Sequence, residues 1–173
     1  MTAPTTAAAV ANAFLDIQEC DSDQFPRIDQ MKLQKLLYYA HAWWLAHKGE
    51  ELFSEDIEAW PWGPVVRDIY GQFRDFGRRP ISGKRATELR KIGDGFLDFQ
   101  IGEPSAVEDE VKEFLQSIWN AHKNFTGIQL SNSTHMPGEP WTIMRDQFES
   151  LDNKPRIPNE LIRDVYRSKI SAA

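Results

Sequence analysis

Residues Met31 to Val66 read MKLQKLLYYAHAWWLAHKGEELFSEDIEAWPWGPVV, and this stretch decides the fold. Its first half repeats apolar side chains at intervals of three and four residues, which places them on one face of a helix. The residues on this face are Leu33, Leu36, Leu37, Ala40, Trp43, Trp44 and His47. Asp29 suits the position that caps the start of a helix, and Gly49 suits the position after its end. The pattern therefore predicts one long helix between these two residues.

The second half of the stretch contains an aromatic turn bounded by prolines. Leu52 to Trp60 mixes apolar and acidic residues in short alternation, which predicts a strand or an extended segment. Pro61 to Pro64 then encloses a Trp-Gly pair. Because proline at the first helical position leaves no donor unpaired, we expect Pro64 to open a helix that ends at Gly77. An aromatic surface on a rigid turn favours protein binding over catalysis.

Helical spacing recurs on both sides of this stretch. Further helices are predicted at Val10 to Ile17, from the Ser105/Glu108 capping-box pattern to about Phe125, at Trp141 to Phe148 and from Pro158, with a single turn at Gly127 to Asn132. Arg78 to Glu103 predicts a loop with a short helix at Thr87 to Lys91 and an extended piece at Phe96 to Ile101. We therefore expect a mainly α protein, a single compact helical domain of about five to six helices with a short extended or β segment.

Composition excludes several classes of function. A chain of 173 residues with 41% hydrophobic residues is long enough to bury a core. Its net charge of −6 makes it a poor nonspecific ligand for DNA or anionic membranes. A lone Cys20 forms no internal disulfide and no zinc motif. Since no secretory signal and no run of ~18 apolar residues is present, we expect a cytoplasmic protein with no membrane partner.

The histidines do not form a recognisable catalytic or metal pattern. His41 and His47 are six residues apart and fall on different faces of the predicted helix, whereas His122 and His135 lie on separate elements. The chain also lacks a G-x-S-x-G elbow, a P-loop and a dinucleotide fingerprint. We therefore predict no enzyme, no cofactor and no metal site. For His135, after Thr134, the expected role is to order the following turn through hydrogen bonds.

The aromatic side chains have two interpretations. Large rings are first expected in the core, because their burial stabilises a helical domain of this size. This interpretation covers Tyr38, Tyr39, Trp43, Trp44, Trp60 and Trp62. The alternative concerns the last two, which are two residues apart in a segment predicted to be extended, share a face and could form an exposed pair.

Charged residues suggest two further surfaces. Lys32, Gln34 and Lys35 are expected on a solvated helix face, with Lys32 and Lys35 on the side of Tyr39, where they could meet an acidic partner. Residues 67–91 hold eight basic and three acidic side chains. Arg67, Arg74 and Arg78 follow spacings of seven and four, which predicts that they line one helix side. The full island is Arg67, Arg74, Arg78, Arg79, Lys84, Arg85, Arg90 and Lys91.

Three ordered blocks of this sequence resemble the Panacea domain, the SocA-like antitoxin family that includes phage-associated proteins. The first two blocks are KLQKLLYY at Lys32 to Tyr39 and DIEAWPWGPVV at Asp56 to Val66, which contains Trp60, Pro61, Trp62, Gly63 and Pro64. The third block consists of Leu130, Ser131, Thr134, His135, Pro140 and Trp141. The resemblance covers most of residues 10–145. It makes residues 1–173 one Panacea-like domain, with residues 1–6 frayed and residues 149–173 as a C-terminal helix particular to this chain.

The resemblance implies an antitoxin that neutralises a toxin encoded beside it by direct binding. In some members the domain also delivers the toxin to a cytosolic protease of the AAA+ type. The Trp60 to Pro64 turn and the long helix are then the supporting frame, and the basic helix is the candidate contact. The alternative is a winged-helix-like DNA-binding regulator that uses the basic island. Asp68 and Asp75 interrupt that island, so nucleic acid is the less favoured partner.

Overall fold

The structure is a computed structural model and describes residues 2–173, in which the chain forms seven α-helices and two antiparallel strand pairs. The helices are α1 (Ala7–Cys20), α2 (Gln30–Lys48), α3 (Arg67–Phe73), α4 (Asp109–His122), α5 (Gly127–Thr134), α6 (Pro140–Gln147) and α7 (Asn159–Ser171). The strands are β1 (Glu58–Trp60), β2 (Gly63–Val65), β3 (Glu88–Lys91) and β4 (Phe99–Gly102). The mainly α prediction is confirmed. The expected five to six helices become seven, because Gly127–Thr134 forms a complete helix.

Helix α2 is the centre of the molecule. It starts where Asp29 Oδ1 accepts a hydrogen bond from Lys32 N at 2.8 Å, and it ends at Gly49 with φ of +81°. Both predicted ends are therefore confirmed. Helices α1, α3, α4, α5 and α7 and strand β2 all contact α2. Because these neighbours surround it, fifteen of its nineteen residues are buried, and the single apolar face predicted from spacing is an underestimate.

Strands β1 and β2 form a hairpin that packs on α2. Trp60 pairs with Gly63 across the two-residue turn Pro61–Trp62, and Glu58 pairs with Val65. Pro64 therefore lies in a strand, and the prediction that it opens a helix is wrong. Helix α3 begins at Arg67. The preceding residue, Val66, donates its backbone N–H to Gln34 Oε1. The strand pairing keeps the backbone extended up to that point.

Residues 78–108 differ most from the sequence predictions. The helix predicted at Thr87 to Lys91 is wrong, because Glu88–Lys91 pairs with Phe99–Gly102 as a second hairpin. The capping box predicted at Ser105 is also absent. Helix α4 starts at Asp109 after Glu108, whose side chain forms no cap hydrogen bond, and the helix ends at His122 before Phe125. A capping box is present instead at the start of α5, between Thr126 and Gln129.

Because His41 is buried, we expect the protein to lose stability in acid. Its Nε2 lies 3.0 Å from Asn159 Oδ1, its ring centroid lies 4.4 Å from that of Phe53, and burial lowers its pKa to about 4. The unfolded chain binds a proton near the ordinary pKa of ~6.5. The folded state therefore loses up to ~3 kcal/mol as the pH falls from 6.5 to about 4. Urea unfolding of the wild type and of His41→Gln across this range measures the effect.

The matched control for His41 is His47 on the same helix, which is exposed. We expect His47→Gln to keep the acid dependence of the wild type, whereas His41→Gln flattens it. An unchanged slope in His41→Gln would show that another group causes the loss.

Candidate functional site

The third sequence block and the β1–β2 hairpin meet on one side of α2. Trp141 Nε1 donates a hydrogen bond to Trp60 O at 2.7 Å, and Ser131 Oγ donates to Trp62 O at 3.1 Å. The rings of His135 and Trp141 are stacked with centroids 4.0 Å apart. We call this group the motif cluster. Its members are Gln34, Lys35, Trp60, Gly63, Pro64, Ser131, Thr134, His135, Pro140 and Trp141.

The polar residues of α2 face the interior, so the predicted solvated face is wrong. Gln34 Oε1 accepts a hydrogen bond from Val66 N at 2.8 Å, and Lys35 Nζ donates to Pro64 O at 3.1 Å. Both side chains thus bind the backbone around β2. Lys32 Nζ donates to Pro26 O and Lys123 O at 2.6 and 2.7 Å and lies 5.3 Å from the Trp119 ring centroid. These lysines join segments that are distant in sequence, and neither meets an acidic group from outside.

Burial changes the titration of these bases. It lowers the pKa of Lys35 to about 7 and that of Lys32 to about 8. The pKa of His135 is also lowered, first by burial and then by the positive charge of Lys35. An amine with a lowered pKa can act as a nucleophile where a substrate reaches it. Lys35 is 1% exposed, so its amine is closed to a substrate and this arrangement offers no open catalytic site.

Gly63 is the point of closest approach in the motif cluster. Its φ is +126°, and a Cβ placed there would lie 2.9 Å from Lys35 Nζ and 3.4 Å from His135 Nε2. We expect Gly63→Ala to lower the free energy of unfolding by at least about 2 kcal/mol, through backbone strain and displacement of Lys35. Urea denaturation measures the loss.

Gly71 provides the control for Gly63. It lies inside α3, and a Cβ added to it would meet no atom within 4 Å, so Gly71→Ala should raise stability by ~0.5–1 kcal/mol. Equal effects from the two alanine substitutions would contradict the close packing around Gly63.

The tyrosines and tryptophans of residues 31–66 mostly lie in the core, as expected. Tyr38, Tyr39, Trp44 and Trp60 are buried. The predicted exposed pair of Trp60 and Trp62 is wrong for Trp60, which is covered by Tyr70 at a ring separation of 4.8 Å and by Lys154. Trp62, with Pro61 beside it at the turn, is 47% exposed. Only the tip of this hairpin is therefore available to a partner.

The predicted basic helix side is interrupted. Helix α3 ends at Phe73, Arg74 lies in a short 3-10 turn, and Arg78 follows Gly77, whose φ of +57° turns the chain away. Arg67, Arg74 and Arg78 therefore do not line one side of a single helix. All three side chains are exposed. Arg67 is already paired with Glu58 at 2.9 Å. The positive island is therefore smaller than the sequence count suggests.

The sequence analysis missed an exposed apolar surface on the β3–β4 hairpin. Six large apolar side chains of the β3–β4 hairpin are exposed: Leu89, Ile92, Phe96, Leu97, Phe99 and Ile101. The signal that could have found it is the alternation of apolar and polar residues at 88–91 and 99–102 around a glycine-containing turn. The sequence analysis predicted a short helix at Thr87 to Lys91 and therefore did not use this alternation.

Two features of the described residues bear on other functional classes. Residues 2–173 contain no group of three or more His, Cys, Asp or Glu side chains that could hold a metal ion. None of the helices within this range combines the length and the apolar character that crossing a bilayer requires.

Comparison with known proteins identifies relatives by sequence. The family model described as "Antitoxin SocA-like, Panacea domain" matches residues 33–142, which contain the motif cluster and the β3–β4 hairpin. Antitoxin SocA of Caulobacter vibrioides (strain NA1000 / CB15N) is 29% identical over 169 residues, covering 96% of this chain and 86% of that protein. No solved structure matches the chain.

Proposed function

Because the chain belongs to the Antitoxin SocA-like, Panacea domain family, we propose that it is the antitoxin of a toxin–antitoxin pair and neutralises its cognate toxin by direct protein–protein binding. The toxin partner is the product of the adjacent reading frame. In this proposal the chain catalyses no reaction. It neutralises the toxin by covering part of the toxin's surface.

The observation that supports binding over catalysis is the use made of the polar residues in the motif cluster. Gln34 and Lys35 bind backbone groups of β2 and the residue after it, inside the protein. A catalytic site needs polar groups that converge on a space open to substrate. The polar side chains of the first sequence block instead hold the hairpin on α2, which is what a rigid binding scaffold requires.

The DNA-binding alternative gains little from the arrangement of charges. Arg67 is paired with Glu58, and Arg85 is paired with Asp16 and Glu103. A basic patch binds DNA through unpaired basic side chains, which neutralise phosphates and so release the counterions condensed on the DNA. A gel-shift assay with the DNA upstream of the gene separates the two functions, because a sequence-dependent shift that weakens with salt would support the regulator.

Co-expression tests the proposed function. Induction of the adjacent reading frame alone should stop growth, and induction together with this chain should restore it. The control is a frameshifted copy of this gene, which produces the same messenger but no folded domain. If the adjacent reading frame is harmless with or without the chain, the antitoxin proposal fails.

Delivery of the bound toxin to a cytosolic AAA+ protease is a separable extension of this proposal. It predicts that the half-life of the toxin shortens when this chain is co-expressed, and that deletion of the protease restores it. If growth is still rescued in the deletion strain, occlusion alone accounts for neutralisation and the adaptor step is unnecessary.

A further inference from the structure

The β3–β4 hairpin has one apolar and one polar face. Leu89 pairs with Ile101 and Lys91 with Phe99, so these four side chains share a face, whereas Arg90 and Gln100 lie on the other. In most antiparallel sheets such an apolar face packs on a core. Here Leu89, Phe99 and Ile101 are 65%, 46% and 70% exposed. The face is built like the inside of a sheet, and residues 2–173 leave it largely uncovered.

The tip of the hairpin extends this apolar surface. Phe96 and Leu97 are 92% and 84% exposed. With aromatic rings of ~150–250 Å² each, the combined exposed apolar area is on the order of several hundred Å². A partner in a standard protein interface contributes ~800 Å². The hairpin therefore supplies much of what a specific interface needs.

The base of the hairpin is held firmly although its face is uncovered. The side-chain amide of Asn12 bonds both backbone groups of Ala86, at 3.0 and 2.7 Å. The amide of Gln72 does the same for Thr87, at 2.8 Å for both bonds. Asn12 lies on α1 and is buried, so the segment that leads into β3 is fixed to the helical body. A surface held in one position loses little entropy when a partner binds.

The charges on the hairpin indicate whether a second copy of the chain or a different protein covers the apolar face. Lys91 lies on the apolar face and forms no ion pair within residues 2–173, whereas nearby Arg85 is paired with Asp16 and Glu103. Two copies of the chain stacked through this face would enclose two Lys91 ammonium groups in one apolar contact with no carboxylate of that face to pair with them, and each copy carries a net charge of −6. A different protein with an apolar patch bordered by a carboxylate would pair with Lys91 instead.

We infer that the apolar face and tip of the β3–β4 hairpin form the docking surface for the toxin, which presents an apolar patch with at least one acidic side chain at its border. This inference rests on the proposed function and adds where the partner binds and what its surface contains. The motif cluster then positions the scaffold, and the second hairpin makes the contact.

Neighbouring residues of β4 give a matched test. Binding of the purified product of the adjacent reading frame is measured for the wild type, Ile101→Thr, the double variant Phe96→Ser/Leu97→Ser, and Gln100→Thr on the polar face. We expect the double variant to weaken binding at least about 100-fold and Ile101→Thr about 10-fold or more. Gln100→Thr should change it less than about 3-fold. All of these side chains are exposed, so thermal unfolding should change little.

Two further measurements complete the test. Lys91→Glu should weaken binding about 10-fold and change its salt dependence, because it opposes the acidic border. Backbone amides of residues 88–102 should exchange hydrogen more slowly in the complex than in the free protein.

Each failure has a distinct meaning. If the wild type binds and the apolar variants bind equally well, the docking inference is wrong and the proposed function stands. If sedimentation shows a wild-type dimer that Ile101→Thr dissociates, a second copy occupies the face and the inference is wrong. If the wild type neither binds nor neutralises the partner, the proposed function and this inference fail together.

Discussion

Trp141→Ala is expected to lower the free energy of unfolding by ~3–5 kcal/mol, the usual cost of removing a buried tryptophan. Trp141 is 3% exposed, its Nε1 donates to Trp60 O at 2.7 Å, and its ring stacks on His135. Truncation leaves a cavity between α6 and the β1–β2 hairpin and removes the hydrogen bond from Trp141 to the Trp60 carbonyl. Urea denaturation followed by circular dichroism measures the loss.

Trp62 is the matched control for Trp141, because both are tryptophans of the sequence blocks, but Trp62 is half exposed. We expect Trp62→Ala to cost less than about 1 kcal/mol. The difference between the two variants tests whether the motif cluster is a structural frame. Similar losses in both, or no loss in Trp141→Ala, would contradict that interpretation.

The second large effect is a rise in stability with pH that depends on Lys35. Burial lowers the pKa of the folded-state amine to about 7, from an ordinary value of 10.5. Between these values the unfolded chain binds a proton that the folded protein does not, so the free energy of unfolding rises with pH by ~1.4 kcal/mol per unit. From about pH 7 to about pH 9.5 the contribution is on the order of 3 kcal/mol. Below pH 7 the charged amine is buried and this stability is lost.

Lys35→Met should remove this contribution. Urea unfolding at several pH values should show that the free energy of unfolding rises less with pH in Lys35→Met than in the wild type. The stability of the variant relative to the wild type is therefore highest near pH 7. Lys112→Met, at an exposed position on α4, should rise in parallel with the wild type. If Lys35→Met and the wild type rise equally, Lys35 is charged in the fold at all these pH values.

Local rules were sufficient to predict several elements. The cap at Asp29, the left-handed residue at Gly49 and the apolar spacing between them act within a few residues, so the bounds of α2 could be predicted. The same holds for the turn at Pro61–Trp62. The start of α3 was missed because the pairing of β2 with β1 and the hydrogen bond from Val66 to Gln34 override the preference of Pro64 for a helix start.

The burial of the lysines and the exposure of the second hairpin could not be predicted for the same reason. Lysine is ordinarily exposed and large apolar residues ordinarily buried. Lys32 is inside because the carbonyls of Pro26 and Lys123 converge on it from distant segments. Phe96 is outside because no helix of the described chain covers the hairpin tip. Both outcomes depend on long-range packing, and an exposed apolar patch such as the hairpin tip is where a binding surface is expected.

The most direct test of neutralisation by binding is a titration of the purified chain into a fixed amount of the product of the adjacent reading frame, with binding and residual toxic activity followed together. We predict that activity falls in proportion to the bound fraction and reaches zero at a fixed small-integer molar ratio. Full suppression by a small fraction of an equivalent would indicate catalysis and contradict neutralisation by binding. So would full toxic activity at saturating amounts of the chain.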